Sequence, residues 1–130
     1  MGAEMERVET CVRYIREKTG FEPHTALVLG SGLGGFADNV KIEAVVEYGE
    51  IEGFPVSTVS GHKGRFVLGY VGKEPVAVMQ GRVHYYEGYP MRDVVLPIRL
   101  MGLLGAQVLF LTNGVGAVNR SYRPGDLMLM

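Results

Sequence analysis

The sequence has little cysteine and no concentration of charge of either sign, and each deficit narrows what the protein can be. Cys11 is the single cysteine among 130 residues. An internal disulfide is therefore excluded, and a reducing compartment such as the cytoplasm is predicted. The formal net charge is −1 and no block of like charges occurs. This balance predicts that neither nucleic acid nor a membrane surface is a partner.

The sequence also lacks a secretory signal and a convincing membrane span. Its first residues do not show the basic-then-apolar order of a signal peptide. Residues 94–111 are mostly apolar, but Pro97, Arg99, Gly102 and Gly105 interrupt them. A charge near the centre of the stretch would be costly in a bilayer, so the stretch predicts a helix followed by a strand.

What the sequence does have is apolar runs that end in glycine. The hydrophobic fraction is 47%, the charged fraction is 21%, and there are 19 glycines. These values are typical of a soluble globular protein, and the length fits one domain or part of one. Periodicity and turn signals predict helices at residues 4–18 and 93–104, with Asp93 as an N-cap, and strands at residues 26–29, 42–48, 65–71, 75–80, 108–111 and 126–130.

The predicted fold class is α/β, with a mixed and largely buried sheet flanked by helices. The apolar runs are too uniform for strands with one wet face, so both faces of the sheet are expected to be covered. A last strand that starts at residue 126 would be an abrupt terminus. We therefore expect residues 1–130 to be the N-terminal part of a single, larger α/β domain. The alternative is a complete small domain whose last strand lies at an edge.

Residues 81–90 form the most informative loop. They follow a predicted strand and contain Arg82, His84 and the tyrosines Tyr85, Tyr86 and Tyr89. In α/β proteins, ligands collect at this end of the strands. Arginine suits phosphate or carboxylate, and tyrosine offers a flat apolar face with one hydroxyl. The loop thus predicts an anionic ligand joined to a ring, although an ordinary polar surface loop is the simpler alternative.

A second loop, residues 30–35, reads Gly-Ser-Gly-Leu-Gly-Gly and fits the pattern G-x-G-x-x-G. Dinucleotide binding would require a helix that crosses to a parallel strand, and the next predicted strand follows too soon. A Walker-type loop is excluded because no Gly-Lys-Ser/Thr follows. The backbone N–H groups and the Ser31 hydroxyl remain adequate for one phosphate. A glycine-rich turn without a ligand is the alternative.

With both loops in view, the chain resembles the trimeric purine nucleoside phosphorylases. The resemblance covers nearly the whole chain after the first helix. The matching motifs are, in chain order, residues 30–35, Tyr48-Gly49-Glu50-Ile51, Phe54-Pro55, Ser57-Thr58-Val59, Gly61-His62, Gly64-Arg65, Gln80-Gly81-Arg82, His84, Tyr86-Glu87-Gly88-Tyr89-Pro90, Thr112-Asn113 and Gly125-Asp126.

The resemblance implies an enzyme, a pentosyltransferase in which inorganic phosphate attacks the anomeric carbon of a purine (2′-deoxy)ribonucleoside. The products are the free purine and (deoxy)ribose 1-phosphate, as in purine salvage. It further implies a homotrimer and no metal or organic cofactor, with phosphate as co-substrate. The implied roles are phosphate binding by Ser31, His62, Arg82, His84 and the Gly114 backbone, sugar binding by Tyr86, and catalysis by His84 and Asn113.

Two other polar residues receive structural interpretations. His24 is expected to be a structural hydrogen-bonding residue. Glu87 could act as a base, but anchoring of its own loop through backbone hydrogen bonds is the favoured role.

The chain departs from the family pattern after Asn113. The family usually continues Ala-Ala-Gly-Gly-Leu/Ile-Asn, whereas this chain has Gly114-Val115-Gly116-Ala117-Val118-Asn119. The family's purine-recognising acid and amide also belong to a C-terminal half that this sequence does not contain. We therefore expect the isolated chain to bind phosphate weakly and to turn over little nucleoside. The alternatives are a non-catalytic phosphate- or nucleotide-binding fragment and an enzyme similar to methylthioadenosine phosphorylases.

Overall fold

A computed structural model describes residues 2–58 and 64–130. Within these residues the chain forms two α-helices and five strands, in the order α1 (Ala3–Lys18), β1 (Thr25–Leu29), β2 (Lys41–Glu47), β3 (Arg65–Val71), β4 (Glu74–Gln80), α2 (Met91–Leu103) and β5 (Val108–Leu111). Short 3₁₀ helices cover Gly34–Asn39, Tyr48–Glu50 and Tyr85–Glu87. None of the helices in the described part is long and apolar enough to cross a membrane.

The strands form one mixed sheet in the order β2-β3-β4-β1-β5. Strands β4, β1 and β5 are parallel neighbours, whereas β2–β3 and β3–β4 pair antiparallel. The β3–β4 hairpin turns at Gly72, whose φ of 61° lies in the left-handed region that glycine tolerates. The mixed α/β architecture predicted from the sequence is thus confirmed.

Both α-helices pack on the same face of the sheet. Helix α1 buries Val8, Cys11 and Ile15, and α2 buries Leu96 and Leu100 among others. Acidic residues in the first turn of α1 and basic residues in its last turn also favour the helix dipole. The main core therefore lies between the helix pair and one side of the sheet.

The opposite face is only partly covered, which differs from the prediction that both faces are buried. Ala37 and Val40, in and just after the first 3₁₀ helix, pack against Leu29, Val67 and Val78. Beyond them an open apolar groove of about 370 Å³ runs along the sheet, lined in part by Leu27, Val76 and Phe110. All four residues of β5 are exposed. The uniform apolarity of the strands correctly signalled two apolar faces, but local pattern does not show what covers the second.

Two predictions about secondary structure were wrong, one for the last strand and one for the start of α2. Residues 126–130 form no strand, because they pair with no other strand and an isolated strand is not stable in water. Asp93 is not the N-cap of α2, which begins at Met91 after Pro90. Pro90 has a φ of −65° and an extended ψ, so it ends the preceding loop, and Asp93 instead pairs with Arg7 at 2.5 Å. The helix continues through the buried Pro97.

Candidate functional site

The candidate site lies at the carboxyl ends of β4, β1 and β5. Because these strands are parallel neighbours, the loops that follow them leave the same edge of the sheet. The register places Leu29 beside Gln80 and Val28 beside Leu111. The glycine loop (residues 30–35), the arginine loop (residues 81–90) and the Asn113 loop (residues 112–116) therefore start side by side. This is the edge where open α/β sheets bind ligands.

Gly30 and Thr112 connect the glycine loop to the Asn113 loop. The Gly30 amide donates to Thr112 Oγ1 at 2.9 Å, and Thr112 donates to the Val28 carbonyl through both its hydroxyl, at 2.7 Å, and its amide, at 3.1 Å. A Cβ atom on Gly30 would lie 2.7 Å from the Thr112 carbonyl oxygen and 2.9 Å from Asn113 Cα. The two backbones thus meet at a distance that only glycine permits. The sequence hinted at this close approach only through a glycine that directly follows a buried strand.

Arg82 connects the arginine loop to the same junction. Its side chain is half-buried, and Nη1 approaches the Thr112 carbonyl oxygen at 3.4 Å. The preceding residue, Gly81, turns the chain with a φ of 100°. Its carbonyl accepts a hydrogen bond of 2.6 Å from the buried hydroxyl of Tyr48. Burial, with a smaller contribution from the Glu47 charge, raises the pKa of Tyr48 far above its ordinary value, so the phenol stays protonated and continues to donate.

His84 and Glu87 form a compact pair within the arginine loop. One carboxylate oxygen of Glu87 accepts the His84 backbone N–H at 2.6 Å and contacts His84 Nδ1 at 2.8 Å. The other oxygen accepts the backbone N–H of Thr58 at 2.9 Å and the Ser57 hydroxyl at 3.0 Å. A carboxylate accepts hydrogen bonds only, so Nδ1 must carry a proton here. Glu87 thereby fixes the orientation of the imidazole.

Burial alone would raise the pKa of Glu87. Hydrogen bonds from the Thr58 amide, the His84 ring and amide, and the Ser57 hydroxyl outweigh burial and lower the pKa to about 2. Glu87 is therefore ionised at neutral pH and is a poor proton carrier. These contacts agree with the predicted anchoring role and not with a general base.

Tyr86 stacks on the His84 ring, with centroids 4.5 Å apart and an angle of 17° between the planes. The outer face of the Tyr86 side chain is open, because the residue is 75% exposed. Tyr89 donates its hydroxyl to the Val56 carbonyl and so ties the far end of the loop to residues 54–58. The arginine loop therefore presents a flat, partly exposed ring surface beside its polar groups.

The structure brings most of the predicted site residues to this edge. Arg82 reaches Thr112, and a Cβ atom on Gly114 would lie 4.0 Å from the Ser31 carbonyl oxygen. Ser31, Asn113 and Gly114 are all exposed. His62 lies outside the described residues. His24 is elsewhere, where Nδ1 contacts Glu74 at 2.6 Å, as expected for a structural histidine.

Two patterns of ligand-binding residues are missing from the described part of the chain. The glycine loop leads into the 3₁₀ helix Gly34–Asn39 and then into β2, which pairs antiparallel with β3 and not with β1. The crossover helix of a dinucleotide site is therefore missing at this loop, as predicted. Within residues 2–58 and 64–130, no three His, Cys, Asp or Glu side chains gather in a way that could hold a metal ion.

The mixed sheet and the order of its elements are shared with a known superfamily. The chain belongs to the phosphorylase superfamily, whose family model matches residues 24–130. Within that superfamily, the chain is similar to purine nucleoside phosphorylases, which confirms the resemblance seen in the sequence motifs.

The chain is 46% identical over 123 residues to purine nucleoside phosphorylase 1 of Geobacillus stearothermophilus, which covers 95% of this chain and 45% of the relative. Among solved structures, a purine nucleoside phosphorylase in complex with ribose-1-phosphate superposes with a TM-score of 0.87 at 42% identity, over 94% of this chain and 45% of that one. The enzyme of Schistosoma mansoni in complex with adenosine gives a TM-score of 0.85 at 41% identity, over 93% of this chain and 42% of that one. The chain thus spans less than half the length of these relatives.

Proposed function

We propose that this chain carries the phosphate subsite and part of the sugar subsite of a purine nucleoside phosphorylase. The reaction is phosphorolysis of purine (2′-deoxy)ribonucleosides to the free purine and (deoxy)ribose 1-phosphate. The observation that carries the proposal is the meeting of the glycine, arginine and Asn113 loops at one edge of the sheet, with Gly30 packed against Thr112. The solved relatives bound to ribose-1-phosphate and to adenosine support the same substrate class.

In the proposed phosphate subsite, Arg82 supplies a permanent positive charge. Phosphate near neutral pH carries about −1.5 to −2 charges and needs a cation together with several donors. A guanidinium cannot lose its proton at this pH and offers donors in a planar fork. The Ser31 hydroxyl and the backbone N–H groups at Gly32 and Gly114 would add neutral donors without further charge. His62 would contribute from the segment outside the described residues.

In the proposed sugar subsite, the stacked rings of His84 and Tyr86 would face the ribose. Glu87 holds Nδ1 of His84, so the opposite nitrogen, Nε2, would be the one directed toward phosphate or a ribose hydroxyl. Asn113, whose backbone abuts Gly30, is proposed to lie where the phosphate, sugar and base meet, as the resemblance implies. Cleavage of a glycosidic bond passes through a cation-like sugar, which an aligned phosphate dianion stabilises. His84 and Asn113 are accordingly the proposed catalytic residues.

The wider assignment follows from the same proposal. Phosphate is the co-substrate, and no metal or organic cofactor is required. The active assembly is a homotrimer in the cytoplasm, with no nucleic acid or membrane as partner, and residues 1–130 are the N-terminal part of one nucleoside phosphorylase domain. The near-neutral charge and the single cysteine support the absence of nucleic acid and the reducing compartment.

The alternative is a non-catalytic module that binds phosphate. In this alternative the glycine and arginine loops would bind phosphate without a complete site for a nucleoside. The two functions differ in turnover and not in phosphate binding. Release of hypoxanthine from inosine and phosphate by the chain would exclude the non-catalytic alternative. Little or no release is expected from the 130-residue chain by itself, because the proposal assigns it only part of the site.

The phosphate subsite can be tested by titration of the chain with inorganic phosphate, followed by phosphorus NMR. Arg82→Ala should weaken binding by about ten- to a hundredfold, the loss expected for hydrogen bonds to a charged group. Arg13→Ala is the matched control, because it removes the same charge from an exposed position on α1. Equal affinity in the Arg82 variant and the wild type would remove Arg82 from the site and refute the proposed function.

A further inference from the structure

Gln80 is a buried polar residue at the end of β4, directly before the arginine loop. Only 3% of its surface is exposed, and it is the one buried polar or charged residue recorded in the described part of the chain. Its backbone pairs with Arg65 of β3 on one side and with Leu29 of β1 on the other. Gln80 therefore lies beside Leu29, the last residue before the glycine loop. Burial of an amide is costly unless its hydrogen bonds are made, so its position calls for an explanation.

The amide of Gln80 bridges the side chain of Arg65 and the backbone of the glycine loop. Its Oε1 accepts a hydrogen bond of 2.7 Å from Arg65 Nε, and its Nε2 donates one of 2.8 Å to the Gly34 carbonyl. A guanidinium only donates and a carbonyl only accepts. The orientation of the amide is therefore determined by its partners. Arg65 fixes the oxygen, and the nitrogen is thereby directed at the glycine loop.

The contact at Gly34 matters because the glycine loop has few other anchors in its middle. The loop closes on itself through hydrogen bonds from Leu33 to Gly30 at 3.1 Å and from Phe36 to Leu33 at 3.0 Å. Ser31 and Leu33 are exposed, so packing holds them weakly. The bond from Gln80 is the one that attaches the loop to the neighbouring strand β4. A glutamate at this position could not donate it, and would add negative charge at the edge that receives an anion.

We propose that Gln80 is a positioning residue that holds the glycine loop at Gly34 in the conformation that presents Ser31 and the loop amides to phosphate. Arg65 acts one step further away, by fixing the orientation of the Gln80 amide. This inference rests on the proposed phosphate site. It adds the residue that holds the glycine loop, which is the most exposed part of that site.

The test compares three variants of the full chain. Gln80→Glu keeps an acceptor for Arg65, loses the donor to Gly34 and adds a negative charge, whereas the next variant adds no charge. Gln80→Met removes both hydrogen bonds at similar length. Met79→Leu is the matched control, since it conserves volume at the adjacent buried position and is expected to be tolerated. Each variant is titrated with inorganic phosphate, and hydrogen exchange of the Phe36 amide is measured by NMR.

Both Gln80 variants should bind phosphate about five- to tenfold more weakly than the wild type, the loss that corresponds to one hydrogen bond. Exchange at Phe36 should accelerate by a similar factor, and Met79→Leu should change neither quantity. If the Gln80 variants do not fold, Arg65→Met is used instead, because it removes the hydrogen bond to the same amide and Arg65 is only half-buried. It should give a smaller change in affinity and exchange, in the same direction.

The outcomes separate this inference from the proposed function. Wild-type affinity and wild-type exchange in Gln80→Glu would overturn the positioning role, even if phosphate binds normally. Absence of phosphate binding in the wild type would instead refute the phosphate site. In that case the exchange rates alone decide whether Gln80 holds the loop.

Discussion

Replacement of Gly30 by alanine is the sharpest test of the way in which the site is assembled. The added Cβ would lie 2.7 Å from the Thr112 carbonyl oxygen and 2.9 Å from Asn113 Cα. Both obstacles are backbone atoms, so no flexible side chain can move aside. The carbonyl also receives Arg82 Nη1 at 3.4 Å, and any shift therefore disturbs the arginine loop as well.

The expected cost follows from the overlap. Relief of these contacts requires the ends of β1 and β5 to separate by several tenths of an ångström, and overpacking of this kind typically costs about 1–3 kcal/mol. For a domain of this size, that corresponds to a decrease in melting temperature of roughly 3–12 °C. Because Asn113 and Arg82 move with the junction, phosphate affinity should also fall, by at least about fivefold.

Gly35→Ala provides the matched control in the same loop. A Cβ atom there meets nothing within 4 Å, and Gly35 has no positive φ. Its free energy of unfolding, obtained from thermal melts followed by circular dichroism, should change by no more than about 0.5 kcal/mol, as expected of a surface substitution. If Gly30→Ala melts and binds phosphate like Gly35→Ala, the glycine and Asn113 loops do not meet as described, and the reasoning fails.

Three further predictions concern the frame around the site. Gly69→Ala should destabilise the domain severely, because a Cβ atom would overlap the Lys41 carbonyl at the β2–β3 bulge; urea unfolding checks this, and a midpoint equal to that of the wild type would contradict it. Tyr48→Phe should cost about 1–3 kcal/mol in the same assay, because the buried Gly81 carbonyl loses its donor; an unchanged midpoint would show that water replaces the hydroxyl. Glu87→Gln should remove a pH dependence of stability. The folded pKa of Glu87, about 2, lies below the ordinary 4.5, so its ionised form stabilises the wild type above pH 4.5 and less as the pH falls toward 2. The difference between the two proteins in thermal melts should therefore shrink across that interval, and a constant difference would contradict the assignment.

The parts of the fold that depend on local pattern could be predicted from the sequence. Apolar runs followed by turn residues predicted β1, β3, β4 and β5 to within about two residues, because the end of each strand needs a turn. The failures lie where a distant residue decides. Asp93 resembles an N-cap by composition, yet Arg7, far away in sequence, supplies the partner for its carboxylate. Residues 126–130 have strand composition, but pairing and not composition makes a strand.

The same distinction explains which parts of the site were visible in advance. Arg82, His84 and Ser31 could be proposed because each belongs to a loop whose chemistry suits an anion. Thr112 and Gln80 could not, because their importance comes from contacts across three strands. Both are uncharged residues at strand ends. What they contribute is geometry, with one joining the glycine loop to β5 and the other joining it to β4.

The charged and the neutral groups of the site have different roles, and the cost of burying charge explains the difference. Arg82 supplies a fixed charge at the junction, and Glu87 is already ionised and satisfied by its own donors. A second carboxylate at the end of β4 would repel the anion that the site is proposed to bind, whereas the amide of Gln80 supplies both a donor and an acceptor without net charge. An amide at this position is therefore the residue type that can support the loop without weakening its electrostatic attraction for phosphate.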